Sequence, residues 1–500
     1  MRASVPLLLA GALVAPSAPA MAGTTIRNDV FWKDTSGTPI YSQGGGILKV
    51  GARYYWYGVK YEEAAGYAGQ PDARPAEPHF AAVTVYSSDN LVDWRFEGDA
   101  ITAAAAGRRF ARDAWLGRLG VVYNRRTRKY VLVSQYAGKE TGPGVLFAIS
   151  DTPAGPFVFA RHQAVIDDVP TRTSGDQTLF VDDDGTPYLI FSGSGDRRAL
   201  YVAPLDGPDY LHVGRATNIY NAPGGGREGN AMFKYDGLYY FCSSELHGWN
   251  ASRSHYMTAR AITGPYSPER VLGGTEADFS HVSQNGFFIP VQGVAGTTIL
   301  YAGDRWSEFA GNGIGYNVWV PLTFDGAVPR FQSLSAFDLD ARRGTWRVGA
   351  ANNYVLNPGF EADRVAQTGV AGWTTSWTSL KGPSPIVNVP GGHTGRWALT
   401  LAPAAASMGS VVQDIALPNG TYTLRAWVKS AGGPAVATLF AAGHGGATVA
   451  RDLPKAADRW SEVTLPSIRV ESGHVQIGAY VEGHAGQSIV LDDVRLTRMP

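Results

Sequence analysis

The chain of 500 residues carries 43 Lys and Arg against 43 Asp and Glu and contains a single cysteine. That balance leaves no basic surplus for a nucleic-acid partner, and a charged fraction of 17% excludes helical bundles and coiled coils, which need far more Glu, Lys and Leu. With 61 Gly and 30 Pro beside 24 Tyr, 20 Phe and 13 Trp, the composition predicts an all-β protein of many short strands and tight turns, long enough for two or three domains.

The chain opens on Arg2, an apolar run from Val5 to Ala15 and the small residues Ala18-Pro19-Ala20-Met21-Ala22. This pattern predicts a secretory signal peptide over residues 1–22 and an exported, extracellular or periplasmic, mature protein. A membrane anchor fits less well, because a span needs roughly 20 apolar residues and Pro16 and Pro19 interrupt this run. Cys242 has no second cysteine to pair with, so the exported chain must hold together by core size alone. Its neighbours Tyr240 and Phe241 predict a buried strand thiol.

An aromatic strand then recurs five times. The copies are Gly51-Ala52-Arg53-Tyr54-Tyr55-Trp56-Tyr57, Arg128-Lys129-Tyr130-Val131-Leu132-Val133-Ser134, Gly185-Thr186-Pro187-Tyr188-Leu189-Ile190-Phe191-Ser192, Gly237-Leu238-Tyr239-Tyr240-Phe241-Cys242-Ser243 and Gly296-Thr297-Thr298-Ile299-Leu300-Tyr301. Several follow another short apolar strand, such as Leu179-Phe180-Val181 or Ala231-Met232-Phe233, across an Asp-Gly turn, which is a hairpin signal. A further strand comes next in Tyr86-Ser87-Ser88, Ala148-Ile149-Ser150 and Thr258-Ala259-Arg260. Copies begin about 50 to 75 residues apart, the size of a four-stranded propeller blade with insertions. Residues 23–348 therefore read as a five-bladed β-propeller. A sandwich with accidental similarity is the alternative, but it leaves unexplained why polar residues cluster at one end of each copy.

After Trp346 the paired tyrosines disappear, and Ala, Gly, Val and Thr become frequent. Alternating segments such as Thr421-Tyr422-Thr423-Leu424-Arg425-Ala426-Trp427-Val428 and Val475-Gln476-Ile477-Gly478-Ala479-Tyr480-Val481 predict a β-sandwich of jelly-roll type over residues 349–500.

Signatures for metal, phosphate or nucleophilic chemistry are poor. Gly311-Asn312-Gly313-Ile314-Gly315 lacks the strand-then-helix setting of a dinucleotide loop and reads as a glycine-rich loop at the propeller mouth. Carboxylates are the better lead. Asp176 precedes the inner strand of the third copy and Glu228 stands at the matching place in the fourth. Two carboxyls from neighbouring blades facing one depression are what acid-catalysed glycoside hydrolysis requires. Either acid alone would read as a surface loop residue. Trp249, Asp304, Arg305 and Trp306 supply the indole rings and polar groups that suit a sugar.

Taken in order, Gln43-Gly44-Gly45-Gly46, Tyr86-Ser87-Ser88 with Leu91-Val92-Asp93-Trp94, Asp176 with Leu179-Phe180-Val181-Asp182-Asp183-Asp184-Gly185, Arg227-Glu228, Gly248-Trp249-Asn250, Ser283-Gln284 and Gly303-Asp304-Arg305-Trp306 resemble glycoside hydrolase family 43, in its branch of exo-β-1,3-galactanases and related furanosidases. The resemblance spans the whole propeller segment. It implies an inverting, exo-acting hydrolase that releases terminal galactosyl, arabinofuranosyl or galactofuranosyl residues from arabinogalactan-type polysaccharide. It also implies Glu228 as general acid, Asp176 as the residue that orients and tunes it, and no cofactor for catalysis.

The family's base aspartate is missing, since Gln43 stands in its place. Gln284 is then the residue expected to orient the water, with Glu245 as the fallback carboxylate. Gln43, Glu245, Trp249, Asp304, Arg305 and Trp306 are expected to contact substrate. Gly117-Arg118-Leu119-Gly120 also departs from the galactanase pattern by lacking its glutamate, which favours a furanosyl substrate. The missing base leaves a catalytically impaired carbohydrate-binding protein as the second reading. The C-terminal segment resembles a carbohydrate-binding module, opening on Leu356-Asn357-Pro358-Gly359-Phe360-Glu361 and closing on Leu491-Asp492-Asp493-Val494. Modules of this kind imply a structural calcium, with Glu361 and Asp493 as its ligands. Strand alternation predicts that only one of Asp492 and Asp493 points inward.

Overall fold

The computed structural model describes residues 24–69, 79–103, 114–138, 141–307, 311–361, 370–378 and 384–499, so the predicted signal peptide lies outside the described residues. The protein is all-β, with a β-propeller followed by a β-sandwich. In the first part, five sheets succeed one another among the described residues, each built from strands that pair antiparallel with the next in sequence. Their first strands are Gln43–Val50, Trp115–Asn124, Ser174–Val181, Arg227–Tyr235 and Gln284–Gln292. Each touches the first strand of the next sheet, and the last touches the first, so the five close a ring. The aromatic repeats form the second strands, among them Arg53–Tyr61, Leu238–Glu245 and Thr297–Ser307. Gly311 to Gly315 are not a loop: they open the strand Gly311–Asp325, whose pairing with Thr297–Ser307 carries Tyr316 opposite Arg305 and Asn317 opposite Asp304.

The ring is tied shut by burial and by the chain terminus. Trp56 from the first sheet and Trp319 from the fifth pack with ring centroids 5.1 Å apart, and Trp94 joins them at 5.3 Å from Trp56. All three indoles are fully buried, and burying surfaces of this size drives closure. The strand Thr25–Arg27 pairs with Ala336–Asp340, so the start of the described chain is held by its later part. Nearby, the Asn28 amide donates to the carbonyls of Trp319 and Leu334 at 2.8 and 2.7 Å. Cys242 is buried in its strand, and burial pushes its thiol well above the usual range, which makes it an inert packing residue.

The sandwich stacks two five-stranded antiparallel sheets. Its core is set by period-two alternation, as in Gly420–Ala431, where Tyr422, Leu424, Ala426 and Val428 are buried.

One backbone feature positions the candidate site. In all five first strands the pairing register slips near the beginning: between Gln43 and Gly46, Leu116 and Leu119, Ser174 and Gln177, Glu228 and Ala231, and Asn285 and Phe287. A bulge re-aims the side chains beside it. Arg118 and Asp176 lie inside such bulges, and Glu228 and Gln284 immediately precede them.

Candidate active site

Asp176, Glu228 and Gln284 come from three neighbouring first strands and line one cavity of about 220 Å³. Trp115, Arg118, Gln135, Arg197, Trp249 and Trp306 share its wall. Arg118 organises the floor. Its guanidinium, 4% exposed, donates to Asp176 Oδ2 at 3.1 Å, Asp304 Oδ2 at 2.8 Å and Gln284 Oε1 at 2.8 Å. The other Asp304 oxygen accepts from the Gly44 amide at 3.0 Å. Asp304 is thus a buried support under Arg118, outside the cavity wall.

The two acids differ in state because their partners differ. Burial alone would raise Asp176, but Arg118, Arg197 and the Gly229 amide, 2.9 Å from Oδ2, outweigh it and hold this carboxyl below its ordinary range. Glu228 goes the other way. Burial, then the charge of Asp176, push it up to about 7 against the pull of Arg197 and Arg118. Gly229 makes this contact possible: its φ is +55°, and a Cβ there would lie 2.1 Å from the Asn285 carbonyl oxygen.

Gln284 differs from expectation. Its Oε1 accepts from Arg118 and, at 2.8 Å, from the Trp306 indole, while its Nε2 donates to Glu228 Oε2 at 3.0 Å. Arginine and indole are donors only, so the amide orientation follows from its partners. Both lone pairs of the oxygen are thereby occupied by protein donors, and the amide nitrogen is bound to Glu228. The residue follows an uncommon turn, Phe279 to Val282, with four successive φ values between +50° and +58°. Left-handed backbone costs about 1–2 kcal/mol per residue for side chains with a Cβ. Arg305 stabilises the turn, donating to the His281 and Val282 carbonyls at 2.6 and 2.9 Å, and pairs with Asp29 at 2.7 Å. His281 also pairs with Asp29; against burial, the charge of Asp29 and hydrogen bonds to Asp278 and Asp29 push its imidazole up to about 9.

Besides Asp304, three more expected substrate contacts lie outside the cavity wall. Arg305 points away from the cavity because alternation along Thr297–Ser307 sends Asp304 and Trp306 to one face and Arg305 to the other. Glu245 is bound by Arg253 at 2.6 Å and His255 at 3.3 Å, and its carboxyl is lowered to about 2 despite partial burial. Gln43 is buried and does not line the cavity. Trp249 and Trp306 do line it, edge to face at 5.3 Å, with Arg118 packed over the Trp306 ring. Sequence reasoning overlooked Arg118 and Arg197. The first was legible as the one charged residue in Gly117-Arg118-Leu119-Gly120, whereas the second sits in an arginine pair on a turn with no pattern to mark it.

In the sandwich, Glu361 accepts from the amides of Arg396 and Trp397, both at 2.7 Å. Asp493 accepts from His393 Nδ1 at 2.6 Å and from the Thr394 hydroxyl at 2.7 Å. Asp492 and Asp493 are both buried, contrary to simple alternation. The cause is a register break opposite Arg425 and Trp427, with Asp493 at φ +46°. Burial and the charge of Asp493 push Asp492 up to about 8. All three acids approach Gly359: a Cβ there would lie 3.6 Å from Asp492 Oδ1, 3.9 Å from Asp493 Oδ1 and 3.8 Å from Glu361 Cγ.

The sequence pattern of glycosyl hydrolases family 43 matches residues 45–289, which contain Arg118, Asp176, Arg197, Glu228 and Gln284. Residues 45–289, just under half of the chain, thus carry the family 43 pattern. An exo-β-1,3-galactanase of Phanerochaete chrysosporium shares the fold, with a TM-score of 0.58 and 23% identity over 94% of this chain and all of that one. A β-D-galactofuranosidase of Aspergillus niger is 30% identical over 162 residues, which cover 31% of this chain and 45% of its own. An arabinoxylan arabinofuranohydrolase of Bacillus subtilis is 27% identical over 214 residues, 37% of this chain and 41% of its own. The chain thus spans less than half the length of these curated relatives.

Proposed function

We propose that this protein is an exported, exo-acting, inverting glycoside hydrolase of family 43 that releases terminal galactosyl, arabinofuranosyl or galactofuranosyl residues from arabinogalactan-type polysaccharide. The observation that carries the reading is Glu228 lifted to about 7 beside an ionised Asp176, on the wall of a tryptophan-lined cavity. A carboxyl in that state is still protonated near neutrality and can deliver a proton. Glu228 protonates the glycosidic oxygen as the bond from the anomeric carbon to that oxygen breaks. A water forms the new bond from the opposite face and loses its proton to solvent, which inverts the anomeric centre. Asp176 remains charged and stabilises the cationic transition state, while Gln284 holds Glu228 in place. A cavity of about 220 Å³ lies below the ~300–1,000 Å³ of drug-sized pockets and suits one sugar ring, hence terminal release.

The Aspergillus and Bacillus relatives act on furanosides by their names, and the Phanerochaete one on galactan, so galactose- and arabinose-containing glycans are the substrates of choice. The same reading takes the five sheets as five blades over residues 23–348, residues 1–22 as a removed signal peptide, and residues 349–500 as a carbohydrate-binding module. Glu361, Asp492 and Asp493 offer hard oxygen ligands, and the raised Asp492 is a carboxylate in need of a cation, which fits a structural calcium.

The test is incubation of the protein with arabinogalactan and with galactosides and furanosides, with the released sugar and its anomer identified. Wild type is expected to release one monosaccharide with inverted configuration, and Glu228→Gln to be slower by about 10²–10⁴-fold on unactivated substrates. Full activity in that variant sinks the assignment. The second reading, a carbohydrate-binding protein without catalysis, is favoured by one observation: the cavity wall carries only the carboxylates Asp176 and Glu228 among the described residues, with no third to act as base. Glycan binding without any sugar release is its signature.

A further inference from the structure

The charged groups facing Glu228 come from four elements. Asp176 stands on the strand Ser174–Val181, Arg118 on Trp115–Asn124 with Asp304 behind it, and Arg197 on the turn between the strands Pro187–Gly193 and Ala199–Asp206. The two arginines are not equivalent. Arg118 is 4% exposed and fixed by three acceptors, whereas the Arg197 side chain is 25% exposed and belongs to no strand. One Arg197 nitrogen, Nη1, serves both acids: it donates to Asp176 Oδ1 at 3.0 Å and to Glu228 Oε1. Among the described residues, the guanidinium has no further acceptor. Its backbone is anchored, since the Arg197 carbonyl accepts from the Arg227 amide at 2.9 Å, one residue from Glu228.

We propose that Arg197 is a displaceable counter-charge: it pairs with Glu228 in the empty cavity and exchanges that carboxyl for a sugar hydroxyl when the ring enters. This role rests on the hydrolase reading above. A cation within bonding distance favours the ionised carboxylate, which is the wrong state for an acid about to donate a proton. Arg118 and Asp176 are held on several sides and stay put, so Arg197 is the charge that can leave. Arg197 and Glu228 line the same 220 Å³ cavity, and a ring filling it must meet both. Once the guanidinium turns to the sugar, Glu228 loses an opposing charge, keeps the amide of Gln284 and takes up its proton. Free nitrogens on Arg197 then bind hydroxyls, so entry of substrate and protonation of the acid are one event.

The test compares pH profiles, because the basic limb of kcat/KM reports the acid in free enzyme and that of kcat reports it in the complex. In wild type, the kcat limb is expected about one pH unit or more above the kcat/KM limb, the lower end of what a nearby opposite charge produces. Arg197→Gln should move the kcat/KM limb up by a similar amount, leave the kcat limb in place and so close most of the gap. Arg197→Lys, which retains a charge, should preserve it. An unmoved kcat/KM limb in Arg197→Gln overturns the proposal, as does an equal rise of both limbs, which would mean that Arg197 stays on Glu228 throughout. Absence of hydrolysis by wild type overturns the hydrolase reading itself, a result distinct from hydrolysis with unmoved limbs.

Discussion

Two regions of this protein each bury a pair of neighbouring carboxylates, and they differ in what faces the pair. In the propeller, burial raises both acids, but Arg118 and Arg197 outweigh it at Asp176, which falls below its ordinary range, and not at Glu228, which burial and the charge of Asp176 lift to about 7. In the sandwich, burial and then the charge of Asp493 raise Asp492 to about 8 against the pull of the backbone amides of Asp493, His393 and Thr394. The first pair opens onto a cavity with indole walls; in the second, Asp492 is fully buried against the His393 and Thr394 amides and Asp493 borders a cavity of about 700 Å³ that no indole lines. Adjacent acids are therefore not a signature of chemistry by themselves. The arginines and indole walls around the first pair suit the proposed acid and its tuner, whereas the second pair, which has no arginine among the groups that shift Asp492, suits the proposed cation site.

The largest effect should come from removing the cation that distinguishes the propeller pair. Arg118→Leu leaves Asp176 and Asp304 buried without their shared partner, and a loss of about 3–5 kcal/mol is expected, read as a lowered urea midpoint. A midpoint unchanged from wild type would mean that the floor of the cavity does not depend on this arginine.

On the sandwich side the expected effect is conditional on metal and pH. Asp492 has a folded pKa above its unfolded value, so its contribution is fully present below about 4 and is lost as pH rises through about 8. Chelated protein should melt at lower temperature at pH 9 than at pH 6. Calcium at 100 times its dissociation constant should restore about 2.7 kcal/mol, and Asp493→Asn should weaken that response. Identical melting with calcium and with chelator would remove the ion from the account.

The smallest effect belongs to Glu245. Held by His255 and Arg253 and absent from the cavity wall, it should tolerate Glu245→Gln with kcat within about threefold of wild type, as for residues that do not touch substrate. Its carboxyl falls from 4.5 to about 2, so its stabilisation is present above 4.5 and lost as pH falls through 2. Acid unfolding of wild type and variant should converge at the low end of that window. A hundredfold loss of activity at neutral pH would restore Glu245 as a functional carboxylate.

The same contrast explains what could be read in the chain. Asp176 and Glu228 were legible because both stand at the same phase of adjacent repeats, and repeats map onto equivalent places in space. Trp249 and Trp306 were legible as rings near polar groups. Arg305 misled because three polar-aromatic residues in a row look like one site until alternation splits them between two faces. Gln284 lies beside Glu228 in the cavity wall, but its partners Arg118 and Trp306 reach it from the second and fifth sheets, which no local pattern reports. Both Asp492 and Asp493 point inward because a bulge breaks a rule that holds elsewhere in the same strand. Arg197 had no periodic signal, since turns carry none. Local pattern reported the strands and their ends; pairing between distant segments decided which charges meet.

The most direct test of the central claim, that Glu228 is the proton donor held at about 7, is the pH dependence of kcat/KM on two leaving groups. With an unactivated glycoside, wild-type kcat/KM should fall about tenfold per pH unit above about 7 as Glu228 loses its proton. With an activated aryl glycoside, which needs no acid, Glu228→Gln should retain activity and show no basic limb. A wild-type profile that stays flat to pH 9 on the unactivated substrate, or a limb that persists in Glu228→Gln, would contradict the account.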